Sequence, residues 1–343
     1  MVALSQNAGT PTVLQSLNQS LHQLMANDER VVVLGEDILD PYGGAFKVTQ
    51  GLSTRFPDRV LTTPISEAAI VGVASGLALR GARPIAEIMF GDFLFLAGDQ
   101  LVNHAAKFRW MYADQVRVPL VVRAPMGGRR GYGPTHSQSL EKHFMGVPGL
   151  WVVAPHVLGN PGDLLRRAVG FDEPVVFIES KACYGRALVG DVSGMALTEV
   201  VDEGSPFPAV HLRHDGAAAD GMMWCYGAMV PHCLEAITRL RDEEGVRLDL
   251  AVVSQLSPIA GAQVRRLMDN AQGRLFVYVE EASAEFGWSA EMLAHVQSQA
   301  GERAAQSHVR VGAAFSPIPS SRDLERQVLL ESTDLVARVL ECL

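Results

Sequence analysis

Apolar and polar positions along the chain follow two alternating rhythms. Thr12–Met25 sets leucines at 14, 17, 21 and 24, a helical spacing with one apolar face. Val31–Leu34 is a continuous apolar run that ends in Gly35-Glu36-Asp37, and it reads as a short buried strand. Strand-like runs recur at Leu61–Thr63, Arg83–Met89, Val118–Arg123, Pro148–Pro155 and Glu173–Glu179. Helices are expected from Ser66 to Leu79, from Leu96 to Phe108 and from Gly162 to Val169. Ala187–Gly221 is rich in Gly, Pro, Asp and Ser, with weak periodicity, and reads as a linker with short extended pieces. The alternation then resumes. Strands are expected at Met222–Tyr226, Leu248–Leu256, Leu275–Val279 and His308–Val311, helices at Met229–Arg241, Ala262–Ala271 and Trp288–Ser298, and a final helix in Asp323–Leu343. This order predicts an α/β fold of two doubly wound parallel-sheet domains, 1–190 and 221–343, joined by 191–220.

Composition narrows the function classes. The chain has 343 residues, of which 48% are hydrophobic, enough for two sizeable cores. The formal net charge is −9 and basic residues form only short pairs, which argues against nucleic acid as a main partner. No apolar segment approaches the length of a membrane span. The four cysteines, Cys183, Cys225, Cys233 and Cys342, show no CxxC spacing, so free thiols in a reducing cytoplasm are the simplest expectation. The N-terminus, MVALSQNAGTPTVLQ, shows no basic segment leading into an apolar run, so no signal peptide is expected.

Candidate chemistry clusters after the strands of the first unit, where parallel sheets bind ligands. Pro64 stops one strand, and Glu67 stands almost alone among apolar neighbours in the first turn of the next helix. A carboxyl there is poorly solvated, which raises its pKa and lets it share a proton with a buried ring nitrogen. Complementing the helix dipole is the plainer role for the same residue. Glu36 faces the ligand edge or is simply solvated; both readings stand. Phe90, Phe93 and Phe95 are ordinary core, or one of them stacks on a flat heterocycle. The long loop after Arg123 holds four glycines and ends in His136-Ser137-Gln138-Ser139, with His136 the acid–base candidate. Arg129 and Arg130 are expected to be solvated, the alternative being positive charge at a site mouth.

The stretch PISEAAIVG (Pro64–Gly72) resembles the thiamine-diphosphate glutamate segment of the β subunit of 2-oxoacid dehydrogenase E1 components, a transketolase-like group. The glycine-rich HSQS loop, Gly43-Gly44-Ala45-Phe46, Tyr226–Val230, Glu280-Glu281 with Gly287–Glu291, and Phe315–Pro319 extend the likeness over most of 30–320. The resemblance implies that Glu67 contacts N1′ of the cofactor's aminopyrimidine ring and promotes its imino tautomer. It further implies that Phe93 packs on that ring, that Glu36 is an active-site acid, and that His136 lies near the thiazolium and the incoming substrate or lipoyl group.

The diphosphate half of a thiamine site, a GDG followed about 25–30 residues later by NN, is missing from this sequence. The resemblance therefore implies an α chain that holds Mg2+ and diphosphate, in an α2β2 heterotetramer, and a lipoyl-bearing E2 acyltransferase as a further partner. Related subunits can also hold potassium through backbone carbonyls; the matching positions are Leu120, Ala168, Val169, Phe171 and Glu173, with Phe171 replacing a usual acid. The family string D-L-R-T-L-x-P-x-D reads VVSQLSPIA at Val252–Ala260, which puts this domain's usual outside contacts in question. The implied activity is decarboxylation of a 2-oxoacid with acyl transfer to a lipoyl carrier. A two-subunit carboligase forming an acyloin, or a non-catalytic scaffold subunit, are the alternatives.

Overall fold

The computed structural model describes residues 9–216, 218–269, 271, 273–299 and 307–343. Residues 1–8, read as free of an export signal, and Asn270, inside an expected helix, lie outside them. The first sheet takes its parallel strands in chain order: β1 Val31–Gly35, β2 Val60–Thr62, β3 Arg83–Glu87, β4 Val121–Met126, β5 Trp151–Val153 and β6 Val175–Ser180. The second is built from β7 Met195–Asp202, β8 Ser205–His214, β9 Gly221–Cys225, β10 Leu248–Val253, β12 Leu275–Ser283 and β13 Ser307–Ala313. The intervening β11, Gln255–Ser257, belongs to the first sheet, whose order is β11-β5-β6-β4-β3-β1-β2; the second runs β13-β12-β9-β10-β8-β7. Both are α/β and mainly parallel, as the sequence predicts.

Two local expectations change. The segment 191–220 is more than a linker. Its β7 and β8 pair antiparallel, and β8 pairs antiparallel with β10, extending the second sheet. Six of the ten residues of β8 are buried, because the sheet edge beside β10 supplies hydrogen-bond partners that no local pattern reveals. The run 248–256 is not one strand. The chain leaves the second sheet after Val253, and Gln255–Ser257 pairs antiparallel with β5 of the first. Ser254 and Ser257 complete this seam: the Ser254 carbonyl accepts Ala154 N–H at 2.8 Å and Ser257 Oγ accepts Gly146 N–H at 3.0 Å. The divergent VVSQLSPIA string thus joins the chain's own two sheets.

The expected helix Leu96–Phe108 is broken into a 3-10 turn, Gly91–Ala97, a π turn, Gln100–Ala105, and a short α-helix, Ala106–Met111. Gly91 is wedged against Met126, where a Cβ would fall 2.2 Å from Met126 Cγ. That close approach fixes where the chain turns after β3.

The centre of the first sheet carries charge. Arg123, wholly buried in β4, is bidentate to Glu179 of β6 at 2.6 and 2.7 Å and reaches Glu87 of β3 at 2.5 Å. Tyr184 donates its hydroxyl to Glu179 at 2.6 Å. Burial pushes the Glu87 carboxyl up against the pull of Arg123, and Glu179 adds to the rise. Arg123→Met leaves both carboxylates buried without a counter-charge and is expected to remove about 3–5 kcal/mol of unfolding free energy. Denaturant titration measures it; a loss under about 1 kcal/mol means that the triad does not hold the sheet.

Candidate active site

The candidate residues gather at the carboxyl edge of the first sheet because each follows a parallel strand. Glu36 follows β1, Glu67 follows β2, Phe90 and Phe93 follow β3, and His136 ends the loop after β4. Glu36 and Glu67 are 6% and 5% exposed. Burial pushes the Glu36 carboxyl up, and the nearby charges of Glu67 and Asp37 push it further. Glu36 Oε1 has no hydrogen-bond partner. Glu67 opens the helix Glu67–Leu79, and no donor among the described residues reaches its carboxylate. Two buried acids therefore face each other unpartnered, an arrangement that asks for a donor from outside the chain.

The second group is aromatic. His136 meets the ring of Phe90 edge-on at 4.9 Å and that of Phe93 at 5.2 Å. Phe93 stays half-buried at the margin of the core, whereas Phe95 turns outward, 53% exposed, and is not core. His136 Nδ1 lies 3.0 Å from Thr135 Oγ1, which leaves Nε2 for chemistry. The structure brings Phe93 to His136 and Glu36 to Glu67, with no hydrogen bond or ring contact between the two pairs.

The glycine-rich loop is shaped by what presses on it. A Cβ on Gly127 (φ +91°) would lie 2.4 Å from Glu281 Oε2. Arg129 departs from expectation. It takes φ +71°, is largely buried, and reaches the carbonyl of Leu330 and, at 2.5 Å, Glu331, while its N–H bonds Glu325 at 2.7 Å. The C-terminal segment folds over the loop, so the guanidinium finds carboxylates there instead of water. Arg130 remains exposed, with one bond to the Lys181 carbonyl at 2.7 Å.

Sequence reasoning assigned no role to Lys181, Glu141 or Glu281. Lys181 is wholly buried and Glu281 is 7% exposed. Lys181 directly follows β6, Glu281 stands next to another acid in β12, and Glu141 opens a 3-10 turn, so no local pattern marked them.

The helix Glu67–Leu79 is apolar on every side but buries one face only. Ala69, Gly72, Val73 and Gly76 form an exposed stripe, with Val73 55% exposed and Ile65, just before the helix, 83% exposed. A helix without a polar face is normally covered all round.

Residues 10–186 match the family described as transketolase, pyrimidine binding domain, and 213–335 that described as transketolase, C-terminal domain. The chain is 36% identical over 331 residues to the acetoin:2,6-dichlorophenolindophenol oxidoreductase subunit beta of Cupriavidus necator, covering 94% of each. It belongs to the family of E1 β subunits of 2-oxoacid dehydrogenases. Identity is 32% over 335 residues with a mitochondrial pyruvate dehydrogenase E1 component subunit beta-2 of Oryza sativa, covering 97% of this chain and 86% of the relative. It is 33% over 344 residues with a 3-methyl-2-oxobutanoate dehydrogenase subunit beta of Mycobacterium tuberculosis, covering 99% and 93%. A solved split-gene transketolase, an inactive beta4 tetramer, shares the fold with TM-score 0.72 at 20% identity, covering 96% and 98%.

In this E1 β chain Glu141 lies buried just past the loop and accepts a hydrogen bond from Tyr226. Burial, opposed by that bond and reinforced by Glu280 and Glu281, pushes its carboxyl up to about 7. The folded chain thus holds this proton more tightly than the unfolded one. The resulting stability is full below the ordinary value of 4.5 and is lost as pH rises through about 7. Glu141→Gln keeps an acceptor for Tyr226 and cannot ionise. It is expected to gain on the native chain between pH 5 and 8, by up to roughly 3 kcal/mol. Denaturant titrations across that range check this, and parallel curves for the two proteins would refute it.

Proposed function

We propose that this chain is the β subunit of a two-chain thiamine-diphosphate enzyme that decarboxylates a 2-oxoacid and passes the acyl group to a lipoyl carrier. The observation that carries the reading is the buried pair Glu36 and Glu67, with Glu36 Oε1 lacking a donor, at the same sheet edge as the half-buried Phe93 ring. An acid without a donor and an aromatic wall fit an aminopyrimidine. Thiamine diphosphate, when bound, supplies the nucleophilic carbon that attacks the keto group. Glu67 would share a proton with N1′ of that ring, and Glu36, whose carboxyl burial pushes up, would keep a second proton close by. Phe93 would stack on the ring and exclude water. His136 Nε2 would exchange a proton with substrate or acceptor.

The diphosphate half belongs to a second chain in this reading. The GDG…NN motif does not occur in this sequence, and Mg2+ and diphosphate are assigned to an α chain that carries it. The bare apolar stripe on the Glu67 helix is where an assembly of α2β2 type would cover this subunit. An E2 core carrying the lipoyl group is the acceptor. No described helix is long and apolar enough to cross a membrane, and the four free cysteines suit a reducing cytoplasm.

Potassium is not part of the proposal. The Val169 and Phe171 carbonyls receive the Arg83 guanidinium at 2.6 and 3.3 Å, and Arg83 also pairs with Asp172 at 2.7 Å. Ala168 and Leu120 carbonyls accept Phe171 and Val175 N–H. A fixed cation already stands at that carbonyl cluster, and a second would be repelled. Melting temperature is expected to be the same in potassium and sodium chloride at equal ionic strength; specific stabilisation by potassium counts against this.

The test of function is co-expression with an α chain bearing the GDG…NN motif. Glu67→Gln is expected to lower turnover about 10²–10⁴-fold while the assembly stays intact by sedimentation. Unchanged turnover removes Glu67 from the chemistry. Acylation of a lipoyl domain, measured by mass, separates dehydrogenase from carboligase, which would yield an acyloin from a carbonyl acceptor instead.

A further inference from the structure

Lys181 is a buried cation outside the Arg123 triad that the reaction scheme leaves unused. Its side chain is wholly inaccessible, and among the described residues it forms no ion pair. Burial of an ammonium without a contacting counter-ion is unfavourable, and an apolar side chain would fill the same space at less cost. What Lys181 touches explains its presence. It follows β6, and its N–H donates at 3.1 Å to the carbonyl of Met126, the last residue of β4, where the glycine-rich loop departs. Its carbonyl accepts Arg130 from the middle of that loop at 2.7 Å. Its Nζ donates to the carbonyl of His136, at the loop's end, at 2.5 Å. One residue thus binds the loop at its start, middle and end.

The same ammonium lies 5.0 Å from the centre of the Phe90 ring and 5.7 Å from that of Tyr132. Phe90 is edge-on to Tyr132, Phe93 and His136. The cation therefore sits behind the aromatic group that walls the imidazole, where attraction to the ring faces is strengthened by the lack of water.

We propose that Lys181 is a positioning residue that holds the loop 127–137 in the shape presenting His136 to the reacting atoms. The proposal rests on the reading of His136 given above and adds to it the group that orients it. The charged groups facing the ammonium come from four elements. Asp92 in the 3-10 turn, Glu281 of β12 and Glu325 of the helix Arg322–Val328 favour the charge, and Arg130 in the loop opposes it. Burial outweighs them and pushes the amine down to about 8. The charge is present below that pH and lost above it, and the hold on Phe90 and Tyr132 goes with it.

The experiment uses the assembled two-chain enzyme, with pyruvate or 3-methyl-2-oxobutanoate as probe, whichever turns over faster, and 2,6-dichlorophenolindophenol as electron acceptor. K181M is expected to lower kcat about 10- to 100-fold, the effect of a misplaced catalytic group, with KM and thiamine-diphosphate affinity changed less than about threefold. The native enzyme should lose kcat above a limb near pH 8. K181R, which keeps its charge, should retain most activity at pH 7 and lack that limb. H136Q run in parallel separates the two claims. If H136Q is inactive while K181M matches the native kcat and pH profile, the Lys181 proposal is overturned and the His136 reading survives. If H136Q is fully active, the His136 reading falls and takes the proposal with it. Should K181M fail to assemble, K181R decides: a limb unchanged from the native enzyme overturns the proposal.

Discussion

A guanidinium sealed from water ties together three neighbouring strands of the first sheet. Arg123 binds Glu179 on one side and Glu87 on the other, and the loops that carry chemistry leave the sheet just beyond these residues. Phe90 is three positions past Glu87, the glycine-rich loop starts after Met126, and Lys181 follows Glu179 by two. Such a triad adds less to stability than apolar packing of the same volume would. Its bidentate geometry instead fixes how β3, β4 and β6 line up, because a shifted strand would leave an ion buried alone. The backbone beside it is equally constrained: a Cβ on Gly44 would strike the Glu87 carboxylate at 2.7 Å.

Above that fixed layer the chain is unfinished in two ways that share one cause. A buried oxygen of Glu36, next to Glu67, lacks a donor, and an apolar helix lacks cover on one face. Either is unfavourable in a chain standing alone, and both lie on the Glu67 helix or against it. In the proposed reading a cofactor ring and a second polypeptide would remove both penalties together. The second domain contributes differently. It presses on the glycine-rich loop through Glu281 and the C-terminal segment, and its β11 is stitched into the first sheet, so the two domains form one support for the candidate site.

Much of this was legible before any coordinates. The buried runs VVVL, RPIAEIM and VPLVVR announce parallel strands, because sheets covered on both faces need apolar residues at successive positions. The acid at a helix start, the glycine-rich loop and its terminal histidine follow from local chemistry and from likeness to a family. Arg129 was misread because a charged residue in a glycine-rich loop is ordinarily wet, and its acceptors lie two hundred positions away. The hairpin β7–β8 was missed because Gly, Pro and Asp content speaks for turns, while the partner strand β10 lies beyond it in sequence.

The amino-acid order alone determined the alternation of strands and helices, the clustering of Glu36, Glu67, Phe93 and His136 after successive strands, and the absence of a diphosphate-binding motif. These depend on short-range periodicity and residue type, which travel with the chain. Tertiary structure alone decided that Lys181 stands behind His136, that Arg83 takes the carbonyls of Val169 and Phe171, and that the C-terminal segment grips Arg129. Each depends on which distant acceptor lies within about 3 Å of a buried donor, and that distance exists only once the sheets are packed.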